Sequence, residues 1–119
     1  MSTGFNWFKD YKLTPWNDYY YDTDYKLEYI GGDSTSHSSG NIIKVQNLLE
    51  KYGGITIPYI DAYGLDKEYT PNLINPEIMS KVCKKILENS DVDEVDMRDR
   101  IEWFKKLSDE GYYLSYNYD

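Results

Sequence analysis

At 119 residues, with 21 acids against 13 bases and a net charge of -8, the chain is sized for one small domain, residues 1–119, whose field repels phosphate backbones and anionic lipid. Direct binding to nucleic acid or a membrane surface is not expected; no apolar run approaches the ~20 residues of a span and the start of the chain lacks a secretion signal's basic and apolar stretches, which points to the cytoplasm. The single cysteine, Cys83, rules out an internal disulfide framework and a multi-cysteine metal site.

Residues 4–11 roughly alternate, with Phe5, Trp7 and Tyr11 on one side, as a half-buried strand does. A second aromatic segment begins at Tyr19, Tyr20 and Tyr21, breaks at Asp22, Thr23 and Asp24, and resumes through Tyr25, Leu27 and Tyr29. That is the pattern of a hairpin, ended by Gly31 and Gly32. The stretch 33–40 holds Ser34, Thr35, Ser36, His37, Ser38 and Ser39, small polar side chains that favour turns and caps, so a loop is expected there. In the helix that follows, Ile42, Val45, Leu49 and Tyr52 recur at helical spacing, Ile43 and Leu48 widen the stripe, and Gly53 supplies a left-handed stop. Residues 55–60 read as a short strand that Pro58 confines to an edge, and 61–73 carry turn chemistry without a clear period.

Asn75, Pro76 and Glu77 give the next helix a cap, a preset first turn and an acid against the positive helix end. Its apolar stripe is Ile78, Met79, Val82, Cys83, Ile86 and Leu87, with Ile78, Val82 and Ile86 expected in the main core. A third helix starts near Asp93, carries Met97, Ile101, Phe104 and Leu107 inward and stops at Gly111. The tail then places Tyr112, Leu114, Tyr116 and Tyr118 on one face of a terminal strand. Together these elements predict an α+β fold, in which an antiparallel sheet of N-terminal hairpin and C-terminal strand is packed on one face by about three helices. The last strand is placed beside an N-terminal one, joining both chain ends in one sheet.

The layout, with helices starting at Asn41 and after Asn75 and the ending Trp103, Phe104, Lys105, Lys106 through Glu110, Gly111, Tyr112, Tyr113, Leu114, resembles a loose group of small bacterial and phage α+β proteins. The resemblance covers about the last two thirds of the chain and carries no catalytic residue, so it implies a fold alone.

Acids at Asp91, Asp93, Asp99 and Glu102 fall where an EF-hand loop places ligands. Val95 and Asp96, however, occupy its fifth and sixth positions, and the sixth needs glycine, which excludes a calcium loop. The acids suit a helix start instead. His37, the one histidine, lies among hydroxyls that a base can activate; triads are recognised by geometry rather than spacing, and an exposed loop histidine accounts for it. The same stretch lacks the glycines and lysine of a phosphate loop. Cys83 sits on an apolar stripe, where burial starves it of thiolate, and one His with one Cys leaves only scattered carboxylates as ligands, so neither metal nor cofactor is expected. Pairs such as Asp22 with Asp24, or Asp61 with Asp66, do acid-base work only where a pocket shifts their pKa values.

Fourteen tyrosines help bring aromatics to 17% of the chain. Their hydroxyls need partners or water, so some rings must reach the surface, where tyrosine is enriched at binding hot spots; compositional bias toward Tyr, Asn, Asp, Lys and Ile gives the same count without a binding role. The function expected from this balance is a non-catalytic protein-binding module: an inhibitor, an immunity-type partner or a phage anti-defence protein whose acidic, Tyr-rich surface meets a basic patch on another protein. Its candidate contacts are Tyr19, Tyr20, Tyr21, Asp22 and Asp24 in the aromatic segment and Asp91, Asp93, Glu94 and Asp96 at the third helix start. Three consecutive tyrosines in a strand cannot all face one core. The alternatives are a small enzyme or ligand-binding protein using the 33–40 loop, and a structural subunit of a phage particle or larger assembly. A homo-oligomer is compatible with each.

Overall fold

Alternation along the first strand aims its side chains into two different interiors, and the fold follows from that division. The computed structural model describes residues 2–16, 24–60, 63–89 and 95–118, with the backbone alone for 2, 3, 35–42, 95, 96, 117 and 118. In chain order the elements are β1 (Ser2–Phe8), β2 (Asp10–Trp16), β3 (Asp24–Ile30), β4 (Asp33–Ser38), α1 (Ser39–Gly53), α2 (Pro76–Leu87), α3 (Val95–Asp109) and β5 (Tyr113–Tyr118). The expected α+β class is observed. The single sheet is not: β4-β1-β5 form one antiparallel sheet and β2-β3 a separate hairpin.

The division falls at Lys9. The run 4–11 bends there instead of continuing, so β1 and β2 enter different sheets, and the Lys9 N–H donates to the Ile30 carbonyl at 3.0 Å. Its ammonium donates to the Glu110 carbonyl beyond the end of α3 and lies 4.1 Å from the centre of the Tyr112 ring. A lysine at a helix C-terminus meets the negative end of the dipole, which holds the corner against α3. Phe5 and Trp7 consequently face the helices, while Phe8 and Tyr11 face the hairpin side.

In the described hairpin β3 pairs with β2, in the register Tyr11 to Tyr29, Leu13 to Leu27 and Pro15 to Tyr25 on its inner face, and the tyrosine run expected to form the other arm lies outside the described residues. The expected loop at 33–40 is also corrected: 33–38 is β4, paired residue by residue with β1 from Asp33 opposite Trp7 to Ser38 opposite Ser2, and α1 begins at Ser39. Small polar residues that cap turns locally are held in a strand when a partner offers a continuous ladder, because backbone pairing overrides weak propensity. The return of the C-terminal strand is as expected, with Trp7 opposite Leu114 and Phe5 opposite Tyr116. Residues 55–60 form no strand of their own and join the sheet's backbone through the parallel bridge of Tyr59 with Tyr116, on the edge of β5, where Tyr116 N–H donates to the Pro58 carbonyl at 2.9 Å and Ile60 N–H to the Tyr116 carbonyl at 3.2 Å.

One face of the three-stranded sheet and the three helices enclose the larger interior, from Phe5 and Leu114 to Val45, Leu49, Met79, Val82, Cys83, Ile86, Met97, Ile101, Phe104 and Leu107. Phe5 meets Phe104 edge to face at 4.9 Å, and Trp7 meets Trp103 at 5.0 Å in the same way. Asn75 caps α2, its side-chain oxygen accepting from the Glu77 N–H at 2.8 Å. The face of α2 is rotated from the expected one: Met79, Val82, Cys83 and Ile86 are buried, whereas Ile78 is 50% exposed. Ile43 of α1 is likewise outside, at 57%. Gly53 is not the left-handed stop; Gly54 takes that conformation at φ 63°, and a Cβ on Gly53 would stand 2.4 Å from Val82 Cγ2. The glycine pair thus divides two tasks, close helix approach and helix ending. The α3 stop at Gly111 is as expected, with φ 88° and the Tyr112 N–H donating to the Leu107 carbonyl at 3.0 Å.

Candidate functional site

The residues expected to touch a partner fall largely outside the described residues: Tyr19, Tyr20, Tyr21, Asp22, Asp91, Asp93 and Glu94 lie there, and Asp96 is described by its backbone alone, in the first turn of α3. Asp24 is described, as the first residue of β3 and half-buried. Its register partner across the hairpin is Trp16, the last residue of β2.

Around this pair the chain assembles aromatic and acidic side chains from three segments. Facing residues of an antiparallel pair project to the same side, so Asp24 and Trp16 share a face. The Trp16 ring contacts Tyr63, with centroids 5.0 Å apart and planes at 49°, and Tyr63 is 63% exposed. Tyr63 is carried there by the bridge between Tyr25 and Leu65, whose N–H groups donate to each other's carbonyls at 3.0 and 2.9 Å. Asp66 follows Leu65 in the chain as Asp24 precedes Tyr25, so each acid is next to one member of the bridged pair. On the same outer face of the hairpin, Lys26 and Lys12 converge on Glu28 at 3.2 and 3.4 Å. The hydrogen bond from Lys26, with help from Lys12, holds the Glu28 carboxyl below its usual range. Those lysines pair with Glu28 rather than with the acids at the hairpin end.

Sequence reasoning missed Trp16 and Tyr63 as contacts. The readable signal was an aromatic residue inside turn chemistry, Tyr63 beside Gly64, where no core stripe calls for a ring. A second exposed ring, Tyr59, packs on Tyr116 at 5.3 Å.

Elsewhere several polar groups that could carry chemistry have structural partners. Ser80 of α2 donates to Asp109 of α3, and Lys105 pairs with the other oxygen of that carboxylate at 2.7 Å. The Lys105 and then the Ser80 hydrogen bond hold Asp109 below the usual carboxylate range. This hydroxyl is a donor to an ionised acid rather than a nucleophile facing a base. Beneath it, burial pushes the Cys83 thiol up to about 12, the neighbouring Asp109 charge acting in the same direction. Such a group is a thiol at neutral pH and a poor nucleophile. Arg98 donates to the Leu87 carbonyl at 3.2 Å, closing the end of α2. His37 lies in β4 opposite Thr3, not in a loop. Among the described residues no group of three or more His, Cys, Asp and Glu is placed to hold a metal ion, and no helix is long and apolar enough to cross a membrane.

Comparison with protein-family models, with curated proteins and with solved structures gives no match, so the layout resemblance read from the sequence finds no counterpart there and the hairpin-end geometry stands on its own.

Proposed function

We propose that this chain is a non-catalytic protein-binding module that engages the basic patch of another protein, in the manner of an inhibitor, an immunity-type partner or a phage anti-defence protein. The observation that carries this reading is the end of the β2-β3 hairpin, where Tyr63 stands 63% exposed against Trp16 with Asp24 and Asp66 alongside. Exposed rings give a contact large apolar area at low side-chain entropy, and an excess of carboxylates steers a basic surface toward them. The sequence adds Asp18 and Asp22 and no base between Trp16 and Asp24. The 33–40 stretch on which the enzymatic alternative rested is strand β4 and the start of α1 rather than a loop.

The test compares wild type with Tyr63→Ala and Asp24→Asn as baits in the native host, with circular dichroism confirming that both variants are folded. The reading expects one stoichiometric basic protein that wild type retains and both variants lose. Retention by both variants as by wild type would remove this surface as the interface.

A further inference from the structure

Resting on that binding reading, we infer that the hairpin end takes an arginine side chain of the partner protein as its anchor, in preference to lysine. Two features of the site select the guanidinium. The first is the ring pair. Tyr63 and Trp16 touch at 5.0 Å with planes inclined at 49°, and the Tyr63 ring, 63% exposed, offers a face to solvent. A planar, weakly hydrated guanidinium stacks on such a face, whereas an ammonium keeps its tighter water shell.

The second feature is the disposition of acceptors. Asp24 lies across the hairpin from Trp16, and the Tyr25 and Leu65 bridge brings Asp66 to the same end from a second segment. Lys26, the base next along this face of β3, is held by Glu28 at 3.2 Å and does not compete for them. Lys67 follows Asp66 in the chain, one base against two acids. Carboxylates approaching from two segments beside a ring face suit five donors fixed in a plane, since the fork pairs with an acid while its plane lies on the ring. A single ammonium satisfies the charge but not the plane.

The experiment titrates the full chain at low salt with two probes, a short glycine-serine peptide carrying two arginines and its two-lysine counterpart, following the Trp16 indole N–H by NMR. The arginine peptide is expected to bind at least about threefold tighter than the lysine peptide and to move the Trp16 signal. Tyr63→Ala should bring the two peptides level, and Asp24→Asn should weaken both. Tyr63 is exposed enough for its truncation to leave the fold intact, and Tyr63→Leu, which keeps apolar bulk without the ring face, provides the second variant and should level the two peptides in the same way. Equal affinity for the two peptides in wild type, or binding that leaves the Trp16 signal unmoved, overturns the arginine anchor. The binding reading fails separately, by host capture that is indifferent to Tyr63 and Asp24.

Discussion

The two interiors of this small protein are built from different amino acids for a physical reason. On the helix side, three amphipathic helices and one sheet face are deep enough to remove whole side chains from water: Phe5, Val45, Leu49, Ile101 and Phe104 are completely covered. On the hairpin side, four buried residues, Phe8, Leu27, Ile60 and Leu65, are ringed by Tyr11, Tyr25, Tyr29, Tyr69 and Tyr113. Phe8 and Ile60 are fully covered there as well, but the margin of this smaller layer lies close to solvent, and tyrosine fits it because its body packs while its hydroxyl stays near water or a polar partner. Tyr29 shows the compromise, its hydroxyl 3.4 Å from the buried Ser115 hydroxyl on β5. The tyrosine content therefore has a structural use in the described residues, and Tyr63, more exposed than Tyr59, stands out against it.

The largest expected effect falls on the helix side. Val82→Asp would bury an unpaired charge among Gly53, Cys83 and their neighbours and should abolish the cooperative fold, read as loss of helical circular dichroism. A wild-type melting temperature would show that this face of α2 is not packed. Next come matched truncations, Phe104→Ala and Phe8→Ala, each costing about 3–5 kcal/mol in its own interior. Hydrogen exchange separates them: Phe104→Ala should speed exchange throughout, Phe8→Ala chiefly in β2 and β3. Equal acceleration in α2 by Phe8→Ala would merge the two interiors into one cooperative unit.

A smaller change tests how closely the helices approach. Alanine normally gains about 1 kcal/mol over glycine inside a helix, yet Gly53→Ala should lose about 1–3 kcal/mol by overpacking, because its Cβ meets Val82 Cγ2 at 2.4 Å and Cγ1 at 2.7 Å. Adding Val82→Ala should return part of that loss in denaturant titrations. Strict additivity of the two substitutions would mean the helices separate freely there.

What could be read from the sequence was what is local. α2 and α3 were legible because cap, period and stop sit within their own residues: Asn75 and Pro76 at one start, Gly111 at one end, and Met97, Ile101, Phe104 and Leu107 on one face. The exposed Ile78 was misplaced because a stripe two residues wide leaves its rotation undetermined until a neighbour packs on it. β4 was illegible because its ladder is supplied by β1 rather than by its own serines. The candidate site was least visible of all. Asp24 was singled out, but Trp16 and Tyr63 meet only through the Tyr25 and Leu65 bridge, a contact between segments that no period announces.

Alkaline titration gives the finest contrast between the interiors, through one acid on each side, the buried Cys83 and the half-buried Tyr29. Burial pushes the Cys83 thiol from an ordinary value of 9.0 up to about 12, and burial also raises Tyr29 above its ordinary 10.0 despite the opposing Ser115 hydrogen bond. Both groups are neutral when protonated, so a raised folded value means the unfolded chain releases its proton first. Their stabilisation is therefore whole below the unfolded value and drains away as pH climbs toward the folded one, the unfolded state binding fewer protons across the window. For Cys83 that window opens at 9.0 and closes near 12. Wild type should lose stability relative to Cys83→Ala between pH 9 and 11, whatever the constant cost of the smaller side chain, and relative to Tyr29→Phe only from about pH 10 upward. Denaturant midpoints taken at intervals of pH give both differences with the remaining tyrosines cancelling. A Cys83 difference that stays flat across its window would mean the thiol is reached by solvent, and the helix-side interior would be no tighter than the tyrosine-lined one.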